Sequence, residues 1–146
     1  MFQLRALAIC IFSHNGKILV GEGADRVKNE IFYRPLGGSI EFGEYSQDTI
    51  HRELMEELGT AVKDLRYLGT LENIFTWEGK QGHEIVLVYD GKFIDESLYA
   101  ERVLEGDELG WPFKAYWKSL DEFGEGKPPL YPSGLLEMLK AHQQRW

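Results

Sequence analysis

Six acidic residues crowd into a 17-residue stretch of this chain. Residues 41–57 hold Glu41, Glu44, Asp48, Glu53, Glu56 and Glu57 against a single base, Arg52, a net charge of −5. The whole chain carries −8, so most of its acidity lies in one place. Glu53, Glu56 and Glu57 are spaced i, i+3 and i+4, which puts their carboxylates on neighbouring positions of a helix. Like charges at that spacing repel by about 0.2–0.5 kcal/mol per pair. The plain reading of such a cluster is a solvated helix face. The chemical reading is a site for a hard dication, because Mg²⁺ takes oxygen ligands and shares them with substrate phosphates.

The residues before the helix favour the chemical reading. Gly37-Gly38-Ser39-Ile40-Glu41-Phe42-Gly43-Glu44 leads into it. Glycines at such a place let the backbone approach a ligand closely, and the free amides of a helix start favour anions.

Taken as one pattern, the segment runs Gly38, five residues, Glu44, seven residues, then Arg52-Glu53-Leu54-Met55-Glu56-Glu57-Leu58-Gly59. This resembles the Nudix box, the signature of the Nudix hydrolase superfamily. Thr60 stands where that pattern has an aliphatic residue, and Pro35-Leu36 stands where the family often has Leu-Pro. The resemblance implies metal-dependent hydrolysis of a nucleoside diphosphate linked to another group, by attack of water on phosphorus. It implies that Glu53, Glu56 and Glu57 bind Mg²⁺ or Mn²⁺, and that Arg52 fixes a box carboxylate, with Glu44 as its partner. It places the backbone of Gly37 or Gly38 beside the metal. Glu84, which opens a later strand, is an expected extra metal ligand, and Arg34 is expected on the substrate phosphates together with Gly37 and Gly38. The proton of the attacking water is expected to go to a box glutamate or to one from a later loop. The alternative is a catalytically silent nucleotide-binding module of the same fold.

Other residues are weaker candidates. Arg5, Arg26 and Lys28 could meet phosphates. His83 could act as a base. Phe75, Trp77 and Tyr89 could stack on a nucleobase, although sheet packing is the ordinary place for such aromatics. Trp111, Phe113, Tyr116 and Trp117 could face a partner copy or the core, so a homodimer is open.

The elements that must position these groups are legible in outline. Residues 4–12 read as an apolar strand, Asn15-Gly16 as a hairpin turn and residues 17–20 as the returning strand. Residues 21–30 are polar and read as a loop, followed by a short strand at 31–33. The helix covers residues 45–58, with Ile50, Leu54 and Leu58 as its apolar stripe, Ser46 as N-cap and Gly59 as terminator. A period of two from Leu65 to Trp77 predicts a half-buried strand, broken in phase by Leu68 and Ile74. A turn at 78–82 leads to a buried strand at 85–89. Residues 91–110 look irregular, residues 112–117 form another strand, and Ser133 caps a last helix over 134–142. The class expected is α/β (α+β), a Nudix-type α/β/α sandwich with a mixed sheet between helices, as one domain over residues 1–146.

Composition sets the remaining bounds. At 43% hydrophobic residues the chain can form a core, so compositional disorder is excluded. An acidic protein is a poor general binder of long nucleic acid. The lone Cys10 rules out a disulfide framework and sits in an apolar run, as a core residue does. The longest apolar run has seven residues, 6–12, against the roughly 20 that a spanning helix needs. No membrane association and a cytoplasmic location are therefore expected.

Overall fold

The structure, a computed structural model, describes residues 2–143. Leu4–Ile11 is β1, whose last five residues are all buried. It is central because it has a strand on each side. Leu36–Ser39 (β5) pairs with it antiparallel, and Lys80–Phe93 (β7) pairs with it parallel. Val62–Trp77 (β6) then forms a long antiparallel hairpin with β7. The resulting mixed sheet has the order β5-β1-β7-β6.

Side chains alternate across a sheet, so β1 divides its apolar residues between two cores. Leu7, Ile9 and Ile11 join Val86 and Val88 on one face, under Leu135 and Leu139 of the last helix, α2 (Leu135–His142). Ala8, Cys10 and Phe12 join Leu36, Ile50 and Leu54 on the other, under α1 (Ser46–Leu58). The expected layering, a mixed sheet with a helix on each face, is therefore present. Ile50 and Leu54 are fully buried, each worth about 1.5–3 kcal/mol of burial.

A second, antiparallel sheet adds Ser13–His14 (β2), Lys17–Asp25 (β3), Glu30–Arg34 (β4), Val103–Glu108 (β8) and Trp111–Ser119 (β9). This sheet takes up residues expected to be loop. Residues 21–25 are not a loop but the outer half of β3, paired with β4. Nor is 91–110 irregular. It holds the end of β7, a 3₁₀ turn at Glu96–Ala100 and β8. Polar residues at a sheet edge look like loop residues, because one face of such a strand is in water. Gly37 and Gly38 likewise lie on a strand, opposite Ile9 and Ala8.

Three smaller differences have clear causes. The 78–82 turn tightens to Glu78-Gly79, both at positive φ (49° and 79°), the conformation a two-residue hairpin loop requires. The phase break at Leu68 is a register shift between Tyr67 and Gly69, which brings Leu68 to the core and leaves Tyr67 exposed, whereas Ile74 lies in unbroken register and is exposed. Tyr45, not Ser46, is the N-cap of α1, and Ser46 Oγ is instead 2.6 Å from the Tyr89 hydroxyl. Gly59 ends α1 as expected, at φ 65°. Gly134, not Ser133, caps α2. Among the described residues no helix is long and apolar enough to cross a membrane.

Candidate active site

Arg52, at the end of the second turn of α1, gathers the acids. Its Nε donates to Glu44 Oε2 at 2.9 Å and its Nη2 to Glu44 Oε1 at 3.0 Å, a two-pronged pair. Nη1 donates to Glu53 Oε1 at 2.8 Å and lies 3.3 Å from Glu56 Oε2 and 3.7 Å from Glu41 Oε1. Nη2 also reaches the Ser39 carbonyl at 3.0 Å, which ties the helix to the end of β5. Glu44 takes a further bond from Thr49 Oγ1 at 2.6 Å. Arg52 foremost, then Thr49, hold the Glu44 carboxyl down at about 2.

Gly38 explains why the lead-in is glycine. A Cβ there would lie 2.5 Å from Glu53 Oε1 and 2.8 Å from Oε2. The Glu53 carboxylate thus occupies the space a side chain would fill. Gly37 is glycine for a different reason. Its φ is +147°, and a Cβ would come within 2.7 Å of the Ile9 Cα on β1.

Glu57 is the unusual member. It is 5% exposed, and its Oε1 is buried with no hydrogen-bond partner among the described residues. Burial foremost, then the nearby carboxylates of Glu108 and Glu53, pushes its carboxyl up to about 8. Glu53 is also shifted upward, chiefly by burial, with Arg52 pulling the other way. A buried carboxylate oxygen without a donor is costly, and a cation is what would satisfy it.

The donor set fits a hard dication: every candidate atom is a carboxylate or backbone oxygen. The carboxylates are nonetheless held by Arg52. Among the described residues no three His, Cys, Asp or Glu side chains stand together as a ready-made cage. A metal would therefore share or displace the Arg52 contacts to Glu53 and Glu56.

Glu108 lies beyond the residues that the sequence reading named. It ends β8, and its Oε2 is 3.7 Å from Arg34 Nη2 at the end of β4. Its field acts on both Glu53 and Glu57. Gly106 keeps this strand close to the helix, since a Cβ there would sit 3.0 Å from the Glu57 carbonyl. Residue 108 is 51 positions from Glu57 in a stretch that reads as irregular, so no spacing rule pointed to it.

The other candidates disperse. Glu84 is buried on β7, on the sheet face under α2, with Arg5 Nη1 3.4 Å from its Oε2. Arg26 pairs with Glu78 and Lys28 with the Thr76 carbonyl, near the far hairpin turn. His83 is exposed on β7. Trp77 Nε1 donates to the Ala24 carbonyl, Tyr89 is buried, and Phe75 packs over Gly82. Phe113, Tyr116 and Trp117 pack against the cores, which leaves Trp111 exposed. Cys10 is buried, which pushes its thiol up.

Comparison with known proteins bears on the family and the fold. The family model described as the NUDIX domain matches residues 1–140. An RNA pyrophosphohydrolase of Hydrogenovibrio crunogenus is 26% identical over 96% of this chain and 90% of its own length. The NAD-capped RNA hydrolase NudC of Mannheimia succiniciproducens is 50% identical over 38 residues, and this match spans only 14% of that protein. Among solved structures, a MutT NUDIX hydrolase from Burkholderia pseudomallei superposes with a TM-score of 0.68 at 21% identity, covering 93% of this chain and 96% of its own. A NUDIX hydrolase from Nitrosomonas europaea gives 0.69 at 16% identity, covering 98% and 90%. At these identities the two structures speak for the fold alone. With its box, its fold and a family model spanning residues 1–140, the chain belongs to the Nudix hydrolase family.

Proposed function

We propose that the protein is a Mg²⁺- or Mn²⁺-dependent pyrophosphohydrolase acting on a nucleoside diphosphate linked to another group. The observation that carries this reading is Glu57, buried with an unpartnered carboxylate oxygen beside Glu53 and Glu108.

In this reading Glu53, Glu56 and Glu57 hold the metal, with the backbone of Gly37 or Gly38 beside them. When bound, the metal neutralises the phosphate oxygens and lowers the pKa of bound water. The chain's own residues do the rest. Arg52 fixes Glu53 and Glu44, so that the carboxylates present one geometry. Gly38 leaves room for Glu53. Arg34 is the cation available to a substrate phosphate, drawn from Glu108 as the anion arrives. Glu108 joins the box glutamates as a candidate acceptor for the proton of the attacking water.

The test is hydrolysis of a nucleotide panel with Mg²⁺, with Mn²⁺ and with EDTA. Turnover that requires the dication supports the reading. Intact nucleotide binding with no turnover of any compound would favour the silent module.

A further inference from the structure

A sheet edge is a template for another strand, and proteins blunt it by shortness, charge, bulges or a covering loop. Most edges of this protein are blunted in one of these ways. β2 and β5 are two and four residues long. β8 carries Glu105, Asp107 and Glu108 within six residues. β4 is covered by residues 129–131, which give and take backbone bonds at Tyr33. β6 is the exception. It is the other edge of the first sheet and runs for 16 residues. Its first half is protected by two register shifts and by Lys63, Asp64 and Arg66. Its second half, residues 69–77, keeps one unbroken register with β7 and has a single charge, Glu72.

The register tells which groups this half turns outward. The Glu78-Gly79 loop makes Trp77 and Lys80 a hydrogen-bonded pair, and such pairs alternate along an antiparallel hairpin. Trp77, Phe75, Asn73 and Leu71 therefore direct their backbone groups to β7. Thr76, Ile74, Glu72 and Thr70 turn theirs to the open edge. Thr76 bears this out, since its carbonyl accepts from Lys28 Nζ at 2.7 Å. Among the described residues no backbone group of another element bonds to these four. Their side chains are exposed and lie on the sheet face that holds α1, which packs over β5 and β1 instead. On that face Leu4, His83 and Ile74 form one row across β1, β7 and β6. Leu4 is 62% and Ile74 64% exposed, and with Phe2 they line a cavity of about 220 Å³. The open edge thus has an apolar shelf beside it.

The charges on this edge complement themselves, which selects a second copy of the chain. About a two-fold axis normal to the sheet, β6 meets β6 antiparallel, and outward residues pair with outward residues. An axis at Glu72 sets two carboxylates face to face, which is destabilising. An axis at Asn73 sets each Glu72 against an isoleucine. An axis at Ile74 brings the two Ile74 side chains together, each beside its own Leu4. It also sets Glu72 opposite Thr76 of the second copy, whose carbonyl holds Lys28. Opposite charges across strands stabilise, and the symmetry makes this pair twice. We propose that residues 70–76 of β6 form the contact of a homodimer, with Ile74 on the two-fold axis and Glu72 paired with Lys28 of the second copy. The first sheets of the two copies then join into one. The contact is independent of the hydrolase reading.

Sedimentation equilibrium of the full chain over roughly 1–300 µM tests it, the range in which contacts of modest area associate. The chain should show a reversible monomer–dimer equilibrium. Ile74→Pro removes an outward N–H and leaves the bonds to β7 in place, so the dimer should weaken by about 10-fold or more. Glu72→Lys and Lys28→Glu each turn two attractions into two repulsions and should weaken it by about 10- to 100-fold. Combined in one chain, the two reversals should return the dimer to near the wild-type strength. The charge variants change exposed side chains only, so they read the contact even if a thermal melt shows Ile74→Pro to be poorly folded. A chain that stays monomeric throughout the range overturns the proposal. So does a dimer that the single charge reversals leave unchanged, or a double reversal as weak as the single ones. A dimer lost on Trp111→Ser, at the exposed tip of the β8–β9 hairpin, would place the contact there and overturn it too.

Discussion

Two buried carboxylates in this protein have opposite surroundings. Asp25 ends β3 and is 2% exposed; Glu57 ends α1 and is 5% exposed. Asp25 accepts three backbone bonds, from Val27 at 2.9 Å, Lys28 at 3.0 Å and Glu78 at 3.0 Å. The Lys28 amide foremost lowers its pKa. Glu57 has an oxygen with no partner and two carboxylates nearby, and its pKa rises to about 8. Their neighbouring arginines differ in the same sense. Arg26 serves one carboxylate, Glu78, whereas Arg52 lies within 4 Å of four. A buried acid whose bonds are complete closes a turn. One left incomplete, among further acids, is the feature on which the proposed cation site rests.

The largest expected difference is in turnover. Glu57→Gln should lower kcat by about 100- to 1,000-fold, the usual cost of losing one group that stabilises transition-state charge. Asp25→Asn should leave kcat near wild type and lower Tm by several degrees, because an amide cannot accept all three backbone bonds. Equal losses of kcat in the two variants would erase the distinction.

Next in size is Gly38→Ala, which should cut kcat by about 10- to 100-fold by displacing the Glu53 carboxylate, an effect typical of groups that position metal ligands. Gly37→Ala should act mainly on stability, since its clash is with the backbone of β1 and its φ is unfavourable for alanine. A Gly38→Ala enzyme of native activity would separate Glu53 from the chemistry.

The pH dependence of stability should also differ in sign. The folded-state pKa of Glu57 is raised, from 4.5 to about 8. Without metal, the stability it contributes is complete below pH 4.5 and is lost as pH rises to about 8. Asp25 is lowered, so its contribution is present above its ordinary pKa and is lost on acidification. Melts in EDTA from pH 4 to 9 should show a decline on the alkaline side that Glu57→Gln flattens, while Asp25→Asn acts on the acid side. Adding Mg²⁺ should raise Tm most at pH 8 and above, where Glu57 ionises. The smallest effect should come from Arg26→Ala. It removes a largely exposed guanidinium, so Tm and kcat should both stay close to wild type.

The box helix was legible because a helix converts spacing into adjacency: Arg52, Glu53, Glu56 and Glu57 are near one another by local geometry alone, whereas Glu44 precedes α1 and meets Arg52 because the lead-in folds back on the helix. So was the central strand, whose apolar run is long and continuous. The burial of Glu57 had a signal too. It falls three residues after Leu54, on the apolar stripe, while Glu56 points to solvent at 51% side-chain exposure. Grouping the acids by charge hid that difference.

What folding decided was everything that joins distant segments. The pairing of Glu108 with Arg34, the closure of Asp25 by Glu78 and the row of Leu4, His83 and Ile74 each depend on strand register. Register is fixed by the packing of whole strands, since a slip of one residue turns every side chain to the other face. No local spacing records it. By itself the sequence determined which groups could do chemistry at the helix; only the tertiary structure decided which carboxylate is left without a partner and what lies across the sheet from it.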